Sequence, residues 1–211
     1  MSENEKVSLR FLEDAVIRRE WNWFGQVRNE GGRAFCQDDW VTFRKMREAK
    51  FDVWSRDMLE SYAGDLDVYD QTGLNPVMLK YAYMMESTAP ERYEELKPYL
   101  PEVDAQRDGL IESITAWELA DYRKFAESFP RFAAQSRSVS ALEDASDNTS
   151  FETYLRGELK TYSLETLQCY RKRLQELEPT GSSLTQLTMD NIARQYGYLN
   201  TADAEKKLPG I

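Results

Sequence analysis

Four glutamates fall where helical spacing puts apolar side chains. Glu20 lies among Val16, Ile17, Trp23 and Phe24, and Glu86 closes a run from Val77 to Met85 that is apolar almost all round. Glu118 falls between Ile111, Ile114, Tyr122 and Phe125, and Glu158 between Phe151, Tyr154, Leu155 and Tyr162. An ionised carboxylate is costly to bury unless it is paired or hydrogen-bonded. Burial also raises its pKa, which turns a glutamate into a general acid or base near neutral pH. Each acid alone reads as a face-boundary residue or the partner of a structural arginine. Convergent carboxylates from several helices are what a polar pocket needs. Tyr154 stands one turn before Glu158, so a phenol and a carboxylate face the same space. The pattern resembles the carboxylate scaffold of di-iron bundles, but the His of each Glu-x-x-His pair is missing.

A second group is the loop Gly31-Gly32-Arg33-Ala34-Phe35-Cys36-Gln37-Asp38-Asp39. Its glycines let the backbone turn sharply or approach a ligand. Arg33 has the fork geometry to clamp a carboxylate or phosphate. Cys36 stands just ahead of a helix start, where the dipole favours a thiolate, so it is either a nucleophile or a small pocket-lining residue. The same residues also read as punctuation, with a Gly-Gly turn and Asp38 or Asp39 as the helix cap. Asp38-Asp39 is not the Mg²⁺ motif of terpene cyclases, because Thr42 and Phe43 stand where a further acid is required. A third group runs from Asp147 to Glu158. Ser150 caps it, Glu152 pairs with Arg156 one turn on, and Gly157 implies a close helix crossing or ligand approach.

Composition closes several classes of chemistry. The chain contains no histidine, which excludes Ser-His-Asp and Cys-His catalysis and the standard His-containing zinc and di-iron sites. Acid-base work falls to Glu, Asp, Cys, Tyr or Lys. The 27 Lys+Arg against 37 Asp+Glu leave a net charge of -10, which disfavours nucleic acid and anionic lipid as partners. No run approaches the roughly 20 apolar residues of a membrane span. The first residues lack the apolar core of a secretion signal. Two cysteines at unrelated positions make no disulfide framework, so a reducing cytoplasm is the expected compartment.

The elements that must position these groups are helices. The spacing predicts helices over Ser8 to Arg28, capped by Ser8, and over Asp38 or Asp39 to Tyr62. Asn29-Glu30-Gly31-Gly32 separates the two. Further helices are predicted over Pro76 to Glu86 behind Asn75, from Thr88 to Pro98, and from Asp104 to just before Pro130. Residues 135–149 read as a loop. Helices follow over Ser150–Tyr162, Ser163–Glu178 and Ser183–Tyr196, with a terminal turn at Asn200-Thr201. The fold class is all-α: a single-domain, bundle-like array of roughly seven helices, with residues 1–7 and 205–211 as frayed ends.

Glu20-Trp21, the Gly31–Asp39 loop, Met85-Glu86-Ser87-Thr88 and Ser150–Glu158 together resemble an uncharacterised bacterial family, domain-of-unknown-function family 4125. The similarity runs from about the first helix to Tyr196. It implies no particular reaction and leaves the chemistry to the residues.

The reading they support is a small-molecule enzyme with Glu158 or Glu86 as general acid or base, Tyr154 as proton donor and Cys36 at the pocket. Arg33, Gln37, Asp38, Asp39, Glu20, Glu152 and Arg156 are its expected binding residues. The substrate is an anionic, amino-acid-like metabolite, and the reaction a lyase, isomerase or hydrolase type. No cofactor is expected. One alternative is a binding protein that uses the same pocket without turnover. Another is a helical adaptor with a patch of Trp21, Trp23, Trp40 and Trp54. The last is an enzyme with a carboxylate-bound Mg²⁺ or Mn²⁺.

Overall fold

Short polar residues ahead of apolar runs set most of the helix starts in the computed structural model, which describes residues 3–28, 32–145 and 148–209. Asp39 accepts the Thr42 N–H and begins a helix at Trp40, and Ser55 accepts from Met58 to begin one at Arg56. Asn75 caps the next ahead of Pro76, and Asp104, Ser150, Ser163, Ser183 and Asn200 do the same further on. The order is α1 (Glu3–Gln26), α2 (Trp40–Phe51), α3 (Arg56–Thr72), α4 (Pro76–Thr88) and α5 (Pro90–Leu96). It continues with α6 (Ala105–Ser128), α7 (Pro130–Ala133), α8 (Phe151–Leu159), α9 (Leu164–Leu177), α10 (Leu184–Gln195) and α11 (Thr201–Lys207). The protein is 77% helical, and among the described residues there are no strands and no helix long and apolar enough to cross a membrane.

The all-α expectation holds, with three differences. First, α1 begins at Glu3, so Ser8 lies inside it and is not its cap. Glu5 near the N-terminus and Lys206 and Lys207 in the last turn of α11 suit the helix dipoles, and helix extends into both expected tails. Second, the helix expected from Asp38 or Asp39 to Tyr62 is two helices, broken at residues 52–55. Phe51, Trp54, Met58 and Tyr62 keep helical spacing across the break and hide it. The bend lets Trp54 pack edge-on against Phe51 at 4.9 Å and Tyr62 at 5.5 Å. Third, this split, the short α7, and a terminal turn that proves to be the helix α11 bring the count above the roughly seven expected, to eleven among the described residues. Asn29, Glu30, Gly31 and Asp147, all named above, lie outside the described residues.

One core gathers Val16 and Ile17 of α1, Met58, Leu59 and Leu66 of α3, Ile111 and Ile114 of α6, Leu159, and Leu167 and Leu174 of α9. A smaller one, with Phe125, Phe132, Ala193 and Ala204, holds the α6, α7, α10 and α11 corner together. The tryptophans pack inward. Trp23 and Trp54 are buried, and Trp21 and Trp40 are half-buried against Phe43.

Gly157 explains the tightest crossing. A Cβ there would sit 2.6 Å from Met84 Cγ and 2.9 Å from the Lys80 carbonyl oxygen, so α8 lies directly on the α4 backbone. Gly157→Ala is therefore expected to destabilise the fold by about 1–3 kcal/mol through overpacking, despite alanine's better helix propensity. The urea midpoint checks this. An unchanged midpoint would mean the two helices part freely.

Candidate functional site

The close α4–α8 crossing brings the end of α8 over α4, and the bend after α2 turns α3 toward the same place. Glu20 comes from α1, Arg47 and Lys50 from successive turns of α2, and Tyr62 from α3. Lys80 comes from α4, Tyr154 and Glu158 from successive turns of α8, and Tyr162 from just beyond it. Glu20, Lys80, Glu158, Tyr62 and Tyr162 are buried and form a floor. Arg47, Lys50 and Tyr154 are half-buried and form its rim.

Each carboxylate has its own set of donors. The Tyr62 hydroxyl donates to Glu20 Oε1 at 2.7 Å, and Arg47 Nε lies 3.1 Å from Glu20 Oε2. That second contact is an ion pair without hydrogen-bond alignment, which leaves Glu20 Oε2 a buried acceptor with no aligned donor. Glu158 Oε1 accepts from the Tyr162 hydroxyl at 2.7 Å and from Lys50 Nζ. Glu158 Oε2 accepts from Lys80 Nζ at 2.7 Å and has Arg47 Nη1 at 3.9 Å. Lys50 Nζ also donates to the Tyr162 hydroxyl at 3.1 Å. Lys80 Nζ stands 3.2 Å from the centre of the Tyr154 ring, and the Arg137 guanidinium lies 4.8 Å from the same ring.

Two carboxylates thus face three buried or half-buried cations, with Arg137 a fourth at the surface. The imbalance shows in the titration of the groups. Burial, then the Arg47 charge, pushes both Lys50 and Lys80 well below the ordinary lysine range, against the pull of Glu20. Burial also opposes the charge on Arg47, but Glu20 and the surrounding tyrosines hold its guanidinium above the usual range. Burial followed by Glu20 raises the Tyr62 phenol, and burial followed by Tyr62 raises Tyr162, so both remain protonated donors. Tyr81 is raised by burial and then by Tyr154, with Arg47 and Arg137 pulling the other way. The arrangement can move protons between lysine amines, a carboxylate and two phenols without an imidazole.

Of the residues expected from sequence, Glu20, Tyr154 and Glu158 meet in this cluster. Glu86 does not. It ends α4 pointing outward, with its side chain 53% exposed and paired to Lys160, because the last turn of α4 leaves the core. Glu118 is buried at a separate place, accepting from Tyr170 and Thr185 hydroxyls at 2.9 Å each.

The Arg33 group is tied up locally. Arg33 donates to the Asp38 carboxylate at 2.9 Å, the Gly25 carbonyl at 2.9 Å and the Gln37 carbonyl at 3.0 Å. Gln37 is buried, its amide donating to the carbonyls of Phe24 and Val27. Asp39 caps α2, and Cys36 is exposed on the turn just ahead of it. Glu152 accepts the Ala141 N–H at 3.0 Å and pairs with Arg156, which also bridges to Glu112. These contacts lock loop to helix. A cavity of about 940 Å³ opens between Gly25–Arg28, Gly32-Arg33 and Gly73–Leu79, and a second of about 520 Å³ lies between α6 and α9. Neither is lined by the Glu20–Glu158 cluster. Among the described residues no three His, Cys, Asp or Glu side chains gather in a way that could hold a metal ion.

The sequence reading missed Arg47, Lys50, Lys80 and Arg137. A signal existed for Lys80, which interrupts the apolar run from Val77 to Met85, and for Lys50, beside Phe51 in the aromatic stripe of α2 and α3. Long cationic side chains usually snorkel to water from such positions, so they raise no alarm on a helical wheel.

No curated protein and no solved structure matches the chain. A family model does, over residues 11–206, which takes in every member of the cluster. The chain belongs to DUF4125, a family described as proteins of unknown function.

Proposed function

We propose that this protein is a small-molecule enzyme whose acid-base centre is the Glu20–Arg47–Lys50–Lys80–Glu158 cluster, with Tyr154 and Tyr162 as proton donors. One observation carries the reading: the cations outnumber the carboxylates at a buried place on a chain of net charge -10. Surplus buried positive charge is costly unless an anion completes it or a proton leaves. An anionic, amino-acid-like metabolite supplies that charge, and its own N–H groups suit the unaligned Glu20 Oε2. Lyase, isomerase and hydrolase chemistry all use the proton transfers that these groups provide. In this reading the protein works in a reducing cytoplasm and its partner is a small metabolite, not nucleic acid.

The test is a thermal-shift screen against small carboxylates and amino acids. A ligand at about 100 times its dissociation constant adds about 2.7 kcal/mol, which for a chain of this size raises Tm by roughly 5–10 °C. Arg137→Ala, a change at an exposed rim residue, is expected to leave the fold intact and reduce the shift. Turnover of the stabilising compound, slowed in Tyr154→Phe, completes the case. If no anion shifts the parent protein, the reading fails.

A further inference from the structure

Lys50 and Lys80 bind opposite oxygens of the one Glu158 carboxylate, while Arg47 occupies Glu20. Glu158 can balance only one ammonium. Arginine does not shed a proton in proteins, so the surplus is relieved at a lysine or by a bound anion. The two lysines differ in reach. Lys80 is 5% exposed and fixed between Glu158 and the Tyr154 ring, whereas Lys50 is 21% exposed at the rim and faces the Tyr162 hydroxyl.

Building on the acid-base reading above, we infer that Lys50 is a nucleophile that forms an imine with a small carbonyl compound bearing a carboxylate, such as a 2-oxo acid or aldehyde acid. The substrate carboxylate is met at the rim by Arg137. The Lys50 Nζ lone pair attacks the carbonyl carbon, and the carbonyl oxygen takes a proton from the Tyr162 hydroxyl, giving a carbinolamine. Glu158 takes a proton from Nζ and passes it to Tyr162, restoring the phenol, and a second proton, relayed from the Lys80 ammonium through Glu158, converts the carbinolamine hydroxyl into the leaving water. The C–O bond breaks, one water departs, and a C=N bond remains. No oxidant or reductant is needed. The protonated imine then acts as an electron sink for loss of a proton or carboxylate from the adjacent carbon. Burial and the neighbouring Arg47 charge support this by favouring the neutral amine.

Reductive trapping tests it with the intact chain. The protein is incubated near neutral pH with glyoxylate and sodium cyanoborohydride, and the adducts are mapped by peptide mass spectrometry. Lys50 is expected to be labelled at least about 10-fold faster than exposed Lys172, because the cluster holds the carbonyl beside Nζ whereas Lys172 meets it only from solution. Lys50→Arg, which keeps the charge, should lose that adduct, and Tyr162→Phe should slow it. Glycolate, which has the carboxylate but no carbonyl, separates the two ideas in a thermal-shift measurement. If glycolate stabilises the parent but Lys50 labels no faster than Lys172, the imine is overturned and the anion site stands. If glycolate and glyoxylate give no shift and labelling is uniform, both are overturned. An adduct centred on Lys80 overturns the assignment to Lys50.

Discussion

Glu158→Gln is expected to cost about 3–5 kcal/mol of folding stability and to abolish turnover, the largest effect of any single change to the cluster. The variant leaves the Lys80 ammonium and the Lys50 amine beside a neutral amide, with Arg47 Nη1 at 3.9 Å and no second carboxylate to spare. The loss comes mainly from stranding buried charge, and only in part from the hydrogen bonds themselves. Guanidinium denaturation at neutral pH measures it. Adding Lys80→Met to Glu158→Gln should recover part of the loss, because a buried pair replaced by apolar groups is often close to neutral. A single variant within about 0.5 kcal/mol of the parent, the range of ordinary surface changes, would show that water already solvates these charges.

Glu118→Gln should do the opposite at alkaline pH and stabilise the protein. Burial lifts the Glu118 carboxyl from 4.5 to about 7, against the Thr185 and Tyr170 hydroxyls that favour its charged form. The folded protein therefore holds a proton between about pH 4.5 and 7 that the unfolded chain has released. Stability from this residue is fully present below pH 4.5 and falls as pH rises toward 7. The total is about 3 kcal/mol at about 1.4 kcal/mol per pH unit. Glutamine resembles the protonated acid and cannot ionise. The difference between parent and variant should grow across that window and level off above it. Glu13, raised to about 7 by burial and by Asp52 and Glu48, tilts both profiles in the same direction and cancels in the difference. Lys80 tilts both the other way and cancels likewise, whereas the pull of Lys50 on Glu118 is part of the difference itself. Parallel pH profiles would mean that Glu118 already ionises freely in the folded state.

The two acids illustrate how a helical wheel informs and misleads. It correctly marks Glu118 and Glu158 as polar groups on apolar faces. It cannot distinguish Glu118, satisfied by two hydroxyls, from Glu158, which holds two lysines. Glu86 fails for a different reason. The apolar run ahead of it continues the pattern, but α4 has already left the core by its last turn. The Arg33–Asp39 loop was conspicuous because its residue types are reactive, yet its donors are spent on Asp38 and on nearby backbone carbonyls.

What the amino-acid order determined by itself is local. Periodic apolar residues and short polar caps such as Asn75-Pro76, Asp104 and Ser163 specify helices, because each cap satisfies N–H groups within its own turn. The absence of histidine likewise limits the chemistry before any folding is considered. Only the tertiary structure decided which polar groups meet. Lys50 and Glu158 are 108 residues apart, Lys80 and Glu158 78, and Tyr62 and Glu20 42. Their meeting depends on the break at residues 52–55 and on a glycine that lets α8 settle against α4. A wheel gives the direction of a side chain about its own axis and says nothing about which other helix lies there. For flexible lysines and arginines it does not even give the direction, because the same stem reaches water or turns inward as the surrounding charges require.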